Sequence, residues 1–387
     1  MKNILLLGAT GSIGDSVLSV IKQNSDKLNL AGIAFQSNTT KAISIIEEFD
    51  PNYAYCESKA NLNIINDSLK KSEIIELFND KSELEYLLNH KSIDIIISAI
   101  SGFSGLETTF MAAQSGKIIL LANKESIVVA GDIILPLAKK HNTKIIPIDS
   151  EHNAIFQCLN SEKNTDDVSK IIITASGGPF LNKKVDDLSG VTKREALNHP
   201  NWKMGSKITI DSATLVNKCL ELIEAKYLFD LNEEYFELVV HPQSIIHSIV
   251  TYKDGSSICQ MSNPDMRVPI SHALSLEESR LSLNFSEINF SSLNLTFQEF
   301  PKDRLEIANL AREVCNTRGS TGTVFNAANE IAVENFLSDK ITFNKIYEVI
   351  YRTFNAIPVS KNIDIEAIHE IDNQTRMEAQ KVVKSLT

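Results

Sequence analysis

The chain has 387 residues, too many for one simple core, so two or three domains are expected. Its apolar content of 43% is that of an ordinary soluble globular protein, and its net charge of −11 speaks against a nucleic-acid or anionic-membrane partner. An anionic substrate would therefore need a locally positive pocket or a metal. The five cysteines (Cys56, Cys158, Cys219, Cys259, Cys315) form no C-x-x-C and predict reduced, buried thiols in a cytoplasmic protein, not a disulfide frame or zinc knuckle. The apolar run Ile4–Leu7 is too short for a secretory signal, and no run approaches the length of a bilayer span.

Ile4–Leu7 reads as a strand, followed by Gly8-Ala9-Thr10-Gly11-Ser12-Ile13-Gly14 and a helical pattern with Val17, Leu18 and Ile21. Strand, glycine turn and helix is the context in which Thr10, Gly11, Ser12 and Ile13 would cradle a cofactor pyrophosphate at a helix start. Further strands are expected at Leu30–Phe35, Tyr53–Cys56, Ile74–Leu77, Ile93–Ile100, Lys117–Ala122 and Lys144–Ile148. Helical stretches such as Lys41–Glu48, Gly105–Gln114 and Glu125–Lys140 separate most of them, which predicts an α/β, Rossmann-like parallel sheet covered on both faces. The loop after the second strand, Phe35–Lys41, has no acid for a ribose diol, so NADP is favoured over NAD, with Ser37, Asn38 and Lys41 as donors; an ordinary polar loop fits these residues equally well. Asn123, Lys124 and Glu125 follow a strand on the ligand edge of such a sheet, and Lys124 is the first cation placed to meet an anionic substrate.

Lys144–Ile148 runs into Asp149-Ser150-Glu151-His152-Asn153. In extended chain, Asp149 and Glu151 would point the same way with Ser150 opposite, and two carboxylates that close repel unless a cation lies between them. Ile171–Ala175 is a strand ending in Ser176-Gly177-Gly178-Pro179-Phe180, a composition suited to an anion-binding turn. The loop His199–Gly205 carries the single tryptophan, Trp202, and suits a lid. Asp211–Lys226 reads as one helix capped by Asp211 or Ser212, with Leu215, Cys219, Leu222 and Ile223 buried and Asn217, Lys218 and Glu221 on the other face. A Lys–Glu pair at that spacing is usually a surface ion pair. The functional reading gives Glu221 to a metal and Ser212, Asn217 and Lys218 to a phosphate.

Phe236–Val240, Ile249–Tyr252 and Ser257–Gln260 read as strands, the last two joined at Asp254-Gly255, with His241 and His247 structural. Residues 279–301 read as a connector, and Asp303–Arg312, Gly322–Leu337, Phe343–Ala356 and Ile365–Leu386 as a small helical bundle in which Asn326, Asn329 and Glu330 could touch the lid. The expected division is 1–149 for the nucleotide, 150–278 for catalysis in an open sheet, 279–301 as connector and 302–387 as helical domain.

Taken in order, Gly8–Gly14, Leu121–Ser126, Pro147–Ala154, Ser176–Phe180, Asn198–Trp202, Asp211–Thr214 and Asn217-Lys218…Glu221 resemble the 1-deoxy-D-xylulose 5-phosphate reductoisomerase family. His241–His247, Pro264–Arg267 and Asn326–Glu330 extend the likeness to the final helices. The resemblance implies rearrangement of a ketose phosphate and its reduction by NADPH to 2-C-methyl-D-erythritol 4-phosphate, an isoprenoid precursor, in a cytoplasmic homodimer. It implies one Mg²⁺ or Mn²⁺ on Asp149, Glu151 and Glu221, a donor set of hard oxygens. Lys124, Glu151 and His199 would be catalytic. Ser150, Ser176, Trp202, Ser212, Asn217 and Lys218 would join them and Glu221 in holding substrate. Asn123, Glu125 and Gly205 would join the glycine loop, Ser37 and Asn38 at the cofactor. Two departures stand out: Gln36 and Ser37 replace a Gly and, often, a basic residue, and Cys219 replaces a glycine. Rival expectations are a homoserine- or semialdehyde-type dehydrogenase, which would not need three carboxylates, and a nucleotide-sensing regulator, which would bind NADPH without turnover.

Overall fold

Every residue of Ile4–Leu7 is fully buried, and this segment forms the last four residues of β1 (Lys2–Leu7), the central strand of a seven-stranded sheet. The computed structural model describes residues 1–69, 75–160, 165–202, 204–276, 278–361 and 363–386. These fall into two units, Met1–Asn123 with Ile134–Asp149 and Met266–Phe285, and Lys124–Ile133 with Ser150–Asp265 and Ser286–Thr387.

In the first unit, β1 is followed by α1 (Ser12–Gln23), β2 (Leu28–Ala34), α2 (Thr39–Phe49), β3 (Tyr53–Tyr55), α3 (Lys59–Ser68), β4 (Glu76–Phe78), α4 (Lys81–Asn89), β5 (Ile95–Ser98), α5 (Leu106–Ala112), β6 (Ile118–Leu121), the second part of α6 (Lys124–Lys140), whose residues up to Ile133 belong to the second unit, and β7 (Lys144–Pro147). The strands are all parallel, in the order β4-β3-β2-β1-β5-β6-β7. Strand order reverses at β1, which pairs with β2 on one side and β5 on the other, so its carboxyl end opens the crevice where ligands bind such sheets. The expected Rossmann-like sheet is therefore present. Ile74, expected to open the fourth strand, lies outside the described residues. The expected helix at 125–140 is present as α6, but it breaks at Ala130 (φ −136°, ψ 24°) and contains Pro136.

The second unit holds α7 (Ser150–Asn160), β8 (Val168–Ala175), α8 (Lys193–Ala196), α9 (Ser206–Thr214), α10 (Val216–Leu228), β9 (Phe236–Val240), β10 (Ile246–Tyr252) and β11 (Ser257–Met261). The next helix, α11 (Arg267–Leu274), belongs to the first unit, where Asn24 Nδ2 donates to Ser282 O at 3.0 Å and Lys2 pairs with Glu278 at 3.2 Å. The chain then gives β12 (Gln298–Glu299), α12 (Leu305–Thr317), α13 (Thr321–Leu337), α14 (Lys345–Ala356) and α15 (Ile365–Leu386) in the second unit. Its sheet runs β11-β10-β8-β9-β12, with β8 and β9 parallel and the other pairs antiparallel.

The helical C-terminus shares one core with the central segment instead of standing apart. Phe180 meets Phe343 edge-on at 5.2 Å, Tyr347 Oη donates to Thr214 O at 2.9 Å, and buried Arg304 donates to Phe180 O at 3.0 Å. The reason is α13: from Thr321 to Phe336 nearly every side chain is buried, and a helix buried on all sides needs cover from several elements. Among the described residues, no helix is long and apolar enough to cross a membrane. All five cysteines are free thiols, as expected; Cys259 is exposed, because it lies on strand β11 at one edge of the sheet.

Candidate active site

Two features of the first unit suit a dinucleotide. A Cβ on Gly14 would stand 2.2 Å from Ala9 O, so only glycine lets α1 pack this close to the turn after β1. A Cβ on Gly11 would meet nothing nearer than 3.4 Å, so the loop is open at the residue that precedes the first N–H groups of α1. Asn123 is buried and donates to Ile100 O at 2.6 Å and Gly102 O at 2.9 Å, which fixes the loop after β5. After β2, Asn38 caps α2 by accepting from Lys41 N at 3.1 Å.

Asp149 and Glu151 come together for a different reason from the one expected. The chain is not extended here: Ser150 begins α7, so Asp149 ends the strand–helix turn and Glu151 lies in the helix's first turn. Only two peptide bonds separate the two residues, so their proximity is local. Asp149, Glu151 and Glu221 each present a carboxylate oxygen, all within 4.8 Å of one another. Glu221 comes from α10, and it is buried.

The expected single helix at 211–226 is two helices. Leu215, at φ 64°, ends α9 and begins α10. A buried leucine in the left-handed region costs about 1–2 kcal/mol, a strain the surrounding core must hold. The break changes the course of the chain between Ser212 and Asn217, so neither Asp211 nor Ser212 is a cap. Asp211 is buried within α9, paired with Lys207 at 2.8 Å and accepting from Asn329 Nδ2 at 2.9 Å. Burial pushes its carboxyl up, against the pull of Lys207. Lys207 also pairs with Glu125 at 3.2 Å.

The polar face of α10 is buried as well. Lys218 and Glu221 are 3% and 1% exposed, so theirs is no surface pair. Lys218 Nζ donates to Glu151 Oε1 at 2.6 Å and to Glu221 Oε2. Lys124 Nζ donates to Glu221 Oε1 at 3.1 Å and Asn217 Oδ1 at 3.0 Å. Burial alone would lower the Lys218 pKa, but Glu151 and Glu221 raise it, so the ammonium stays charged. Two ammonium groups facing three carboxylates leave negative charge in excess. Three hard oxygen donors match Mg²⁺ or Mn²⁺, so the residues present fit a divalent ion.

A second cluster, of neutral groups, joins the end of β8 to α9. Ser176 follows β8, and a Cβ on Gly178 (φ 66°) would stand 2.8 Å from Ser212 O, so the glycine lets this turn lie against α9. His199 Nε2 is 3.0 Å from Ser176 Oγ and 3.1 Å from Ser212 Oγ. Its Nδ1 accepts from the N–H groups of Asn201 at 3.1 Å and Trp202 at 3.0 Å, so the ring proton is on Nε2 and points at the serines. Burial lowers the His199 pKa to about 4. A histidine neutral in the fold contributes stability that is complete above about pH 6.5, its unfolded value, and lost as pH falls toward 4. The expected contribution is at most about 3 kcal/mol. Urea unfolding of wild type and His199→Gln between pH 4 and 7 checks this: the wild type should lose more stability on acidification, and parallel curves would refute it. Trp202 is half-buried and meets His247 edge-on at 6.1 Å. Asn201 Nδ2 ties the same loop to Pro242 O at 2.6 Å. Lys203, in the expected lid, lies outside the described residues, and Gly205 immediately precedes α9.

Family models match along almost the whole chain. Residues 4–131 match the 1-deoxy-D-xylulose 5-phosphate reductoisomerase model, 145–229 its C-terminal domain, and 261–378 the DXP reductoisomerase C-terminal domain. A Bacillus pumilus protein of that name is 42% identical over 99% of this chain and 100% of its own length. A Clostridium botulinum protein of that name is 43% identical over 97% and 98%. The chain belongs to the 1-deoxy-D-xylulose 5-phosphate reductoisomerase family. Among solved structures, a DOX-P reductoisomerase in complex with NADPH, fosmidomycin and magnesium is 37% identical, covers 100% of this chain and 99% of its own, and has a TM-score of 0.91. The Zymomonas mobilis reductoisomerase in complex with NADPH is also 37% identical, with full coverage of both chains and a TM-score of 0.91.

Several residues of this reductoisomerase fold that hold the site in place escape sequence reasoning. His152 Nε2 is 2.9 Å from Glu221 O, which can only accept, while Nδ1 is 3.4 Å from Glu224 Oε2; this buried histidine fixes α7 against α10. Ser248 Oγ donates to Glu151 O at 3.0 Å. The one signal for His152 is its place directly after Glu151. Nothing in the local sequence marks Ser248, whose partner Glu151 is distant in the chain, or Lys207, which joins its neighbour Asp211 to the distant Glu125; Asn329, expected near the lid, donates to Asp211 Oδ1. Cys219 is fully buried with its thiol 3.5 Å from Ile307 O, so it serves packing between α10 and α12.

Proposed function

We propose that the chain catalyses the rearrangement of 1-deoxy-D-xylulose 5-phosphate and its NADPH-dependent reduction to 2-C-methyl-D-erythritol 4-phosphate, with one Mg²⁺ or Mn²⁺ on Asp149, Glu151 and Glu221. The observation that carries the reading is three convergent carboxylates compensated by two buried lysines, together with a neutral Ser–His–Ser cluster. A homoserine-type dehydrogenase would have no use for such a group.

The divalent ion supplies Lewis acidity at the substrate's carbonyl and hydroxyl oxygens, and NADPH supplies the hydride. The remaining work falls to the chain. Ser176, Ser212 and the Nε2–H of neutral His199 donate to the substrate phosphate, assisted by Asn217 and Lys218. That grip keeps the reacting fragments in place while the carbon skeleton is rebuilt. Lys124 donates to substrate oxygens, Ser150 holds a hydroxyl, and Glu151 takes or returns a proton. Trp202, with the 199–205 loop, excludes water from the reacting centre. In the first unit the 10–13 loop takes the pyrophosphate, with Ser37, Asn38 and Asn123 at the same nucleotide.

The testing experiment is NADPH oxidation with 1-deoxy-D-xylulose 5-phosphate, with and without EDTA. Turnover that EDTA abolishes and Mn²⁺ restores is expected; turnover indifferent to chelation would remove the metal from the reading. A phosphonate–hydroxamate such as fosmidomycin should inhibit only when the ion is present. The cytoplasm is the proposed location. Homodimerisation through the sheet of the second unit is the proposed assembly, to be read as a mass near twice that of the chain in light scattering.

A further inference from the structure

The rim of the glycine loop carries a cation that the motif does not include. The N–H groups of Gly8 and Ala9 donate to Ala34 O at 2.9 and 3.0 Å, so this loop and the chain leaving β2 lie side by side. Beyond β2 the turn at Gln36-Ser37-Asn38 is braced on both sides. Gln36 O accepts from Asn61 Nδ2 at 2.8 Å and from Cys56 Sγ at 3.2 Å, and Thr39 N donates to Ser37 O at 3.0 Å. Lys41, in the first turn of α2, reaches back across that turn. Its Nζ donates to Thr10 O at 3.0 Å and pairs with Asp15 Oδ1 at 2.7 Å. One side chain thus spans the start of α2 and the loop that precedes α1.

In dinucleotide folds the adenosine ribose lies at the carboxyl end of the second strand. An acid there binds the 2′,3′-diol, whereas a cation there accommodates a 2′-phosphate. Phe35, Gln36 and Ser37 provide no acid, and Lys41 holds positive charge at the same rim. Its partner Asp15 is well exposed, at 60%, so that ion pair is weak and readily exchanged for a phosphate. We propose that Lys41 is the specificity-determining residue for NADPH over NADH, its ammonium binding the 2′-phosphate while Ser37 and Asn38 supply neutral donors. The proposal rests on the NADPH-dependent reading above and deepens it.

The test is calorimetric titration of the full-length protein with NADPH and NADH, using wild type, Lys41→Met and Lys41→Arg. Loss of one charge-assisted contact should weaken NADPH binding by about 10- to 100-fold in Lys41→Met. NADH affinity should stay unchanged, and Lys41→Arg should keep the preference for NADPH. An unchanged NADPH-to-NADH ratio in Lys41→Met would overturn the proposal, as would an equal loss for both, since that would mark a purely structural lysine. A wild type that binds NADH as tightly as NADPH would overturn it while leaving nucleotide binding intact. A wild type that binds neither would instead strike at the NADPH reading itself.

Discussion

Glu221→Gln should abolish turnover while leaving NADPH binding intact. Glu221 is 1% exposed and meets two ammonium groups, Lys218 and Lys124, themselves 3% and 4% exposed. The substitution keeps the shape and removes one charge. Both lysines then lose a buried counterion, and the divalent ion loses one of three carboxylates. Breaking a buried pair in this way costs about 3–5 kcal/mol of stability, and the loss of one of three anionic ligands should weaken binding of the ion by about a hundredfold or more. Mn²⁺ affinity, read by paramagnetic resonance, should fall with turnover. NADPH affinity should not change, because Glu221 is not among the residues proposed to hold the nucleotide. Normal turnover in Glu221→Gln, or undiminished Mn²⁺ affinity, would refute the metal assignment.

Gly14→Ala and Gly11→Ala should separate folding from cofactor binding. A Cβ at residue 14 would stand 2.2 Å from Ala9 O and 2.9 Å from Gly8 O, both backbone atoms that cannot swing aside. Either α1 lifts away from the sheet or the turn after β1 rearranges, at about 3 kcal/mol or more. Gly14→Ala should therefore lower the midpoint of unfolding of the first unit and remove NADPH binding with it. At residue 11 the nearest atom to a new Cβ is Gly8 O at 3.4 Å, and the backbone (φ −84°, ψ 176°) suits any residue. Gly11→Ala should fold normally yet bind NADPH about tenfold or more weakly, because the methyl stands where backbone must approach the pyrophosphate. Thermal unfolding alongside NADPH titration decides the matter. Equal stability loss in both variants, or full NADPH affinity in Gly11→Ala, would contradict the reading of the loop.

What could be read from the sequence follows from how far apart the interacting residues lie. The parallel sheet was legible because each strand is a near-continuous apolar run, as in Ile4–Leu7 and Ile95–Ser98, and burial on both faces demands that pattern. The glycine loop was legible because its strand, turn and helix adjoin. The break at Leu215 was not, because leucine carries no local preference for the left-handed region and only the packing around it enforces that conformation. The start of α7 at Ser150 was misread as extended chain, because Ser150 and Asp149 are as common at helix starts as at strand ends. The boundary before the C-terminal helices dissolved because α13 is buried on nearly every side, its Thr and Asn residues included, a property that the pattern of residue types along it does not reveal.

By itself, the sequence determined the residue types of the chemistry: three carboxylates, two lysines, a histidine between serines, and a loop built for phosphate. Tertiary structure alone decided the burial of Lys218 and Glu221, the tautomer of His199 and the bracing by His152, Ser248 and Lys207. The physical reason is that these depend on partners far along the chain, as Glu151 is for Lys218 and for Ser248, or on the course of a folded loop, as for His199, and desolvation of a charge is a property of the folded surroundings, not of the residue that carries it.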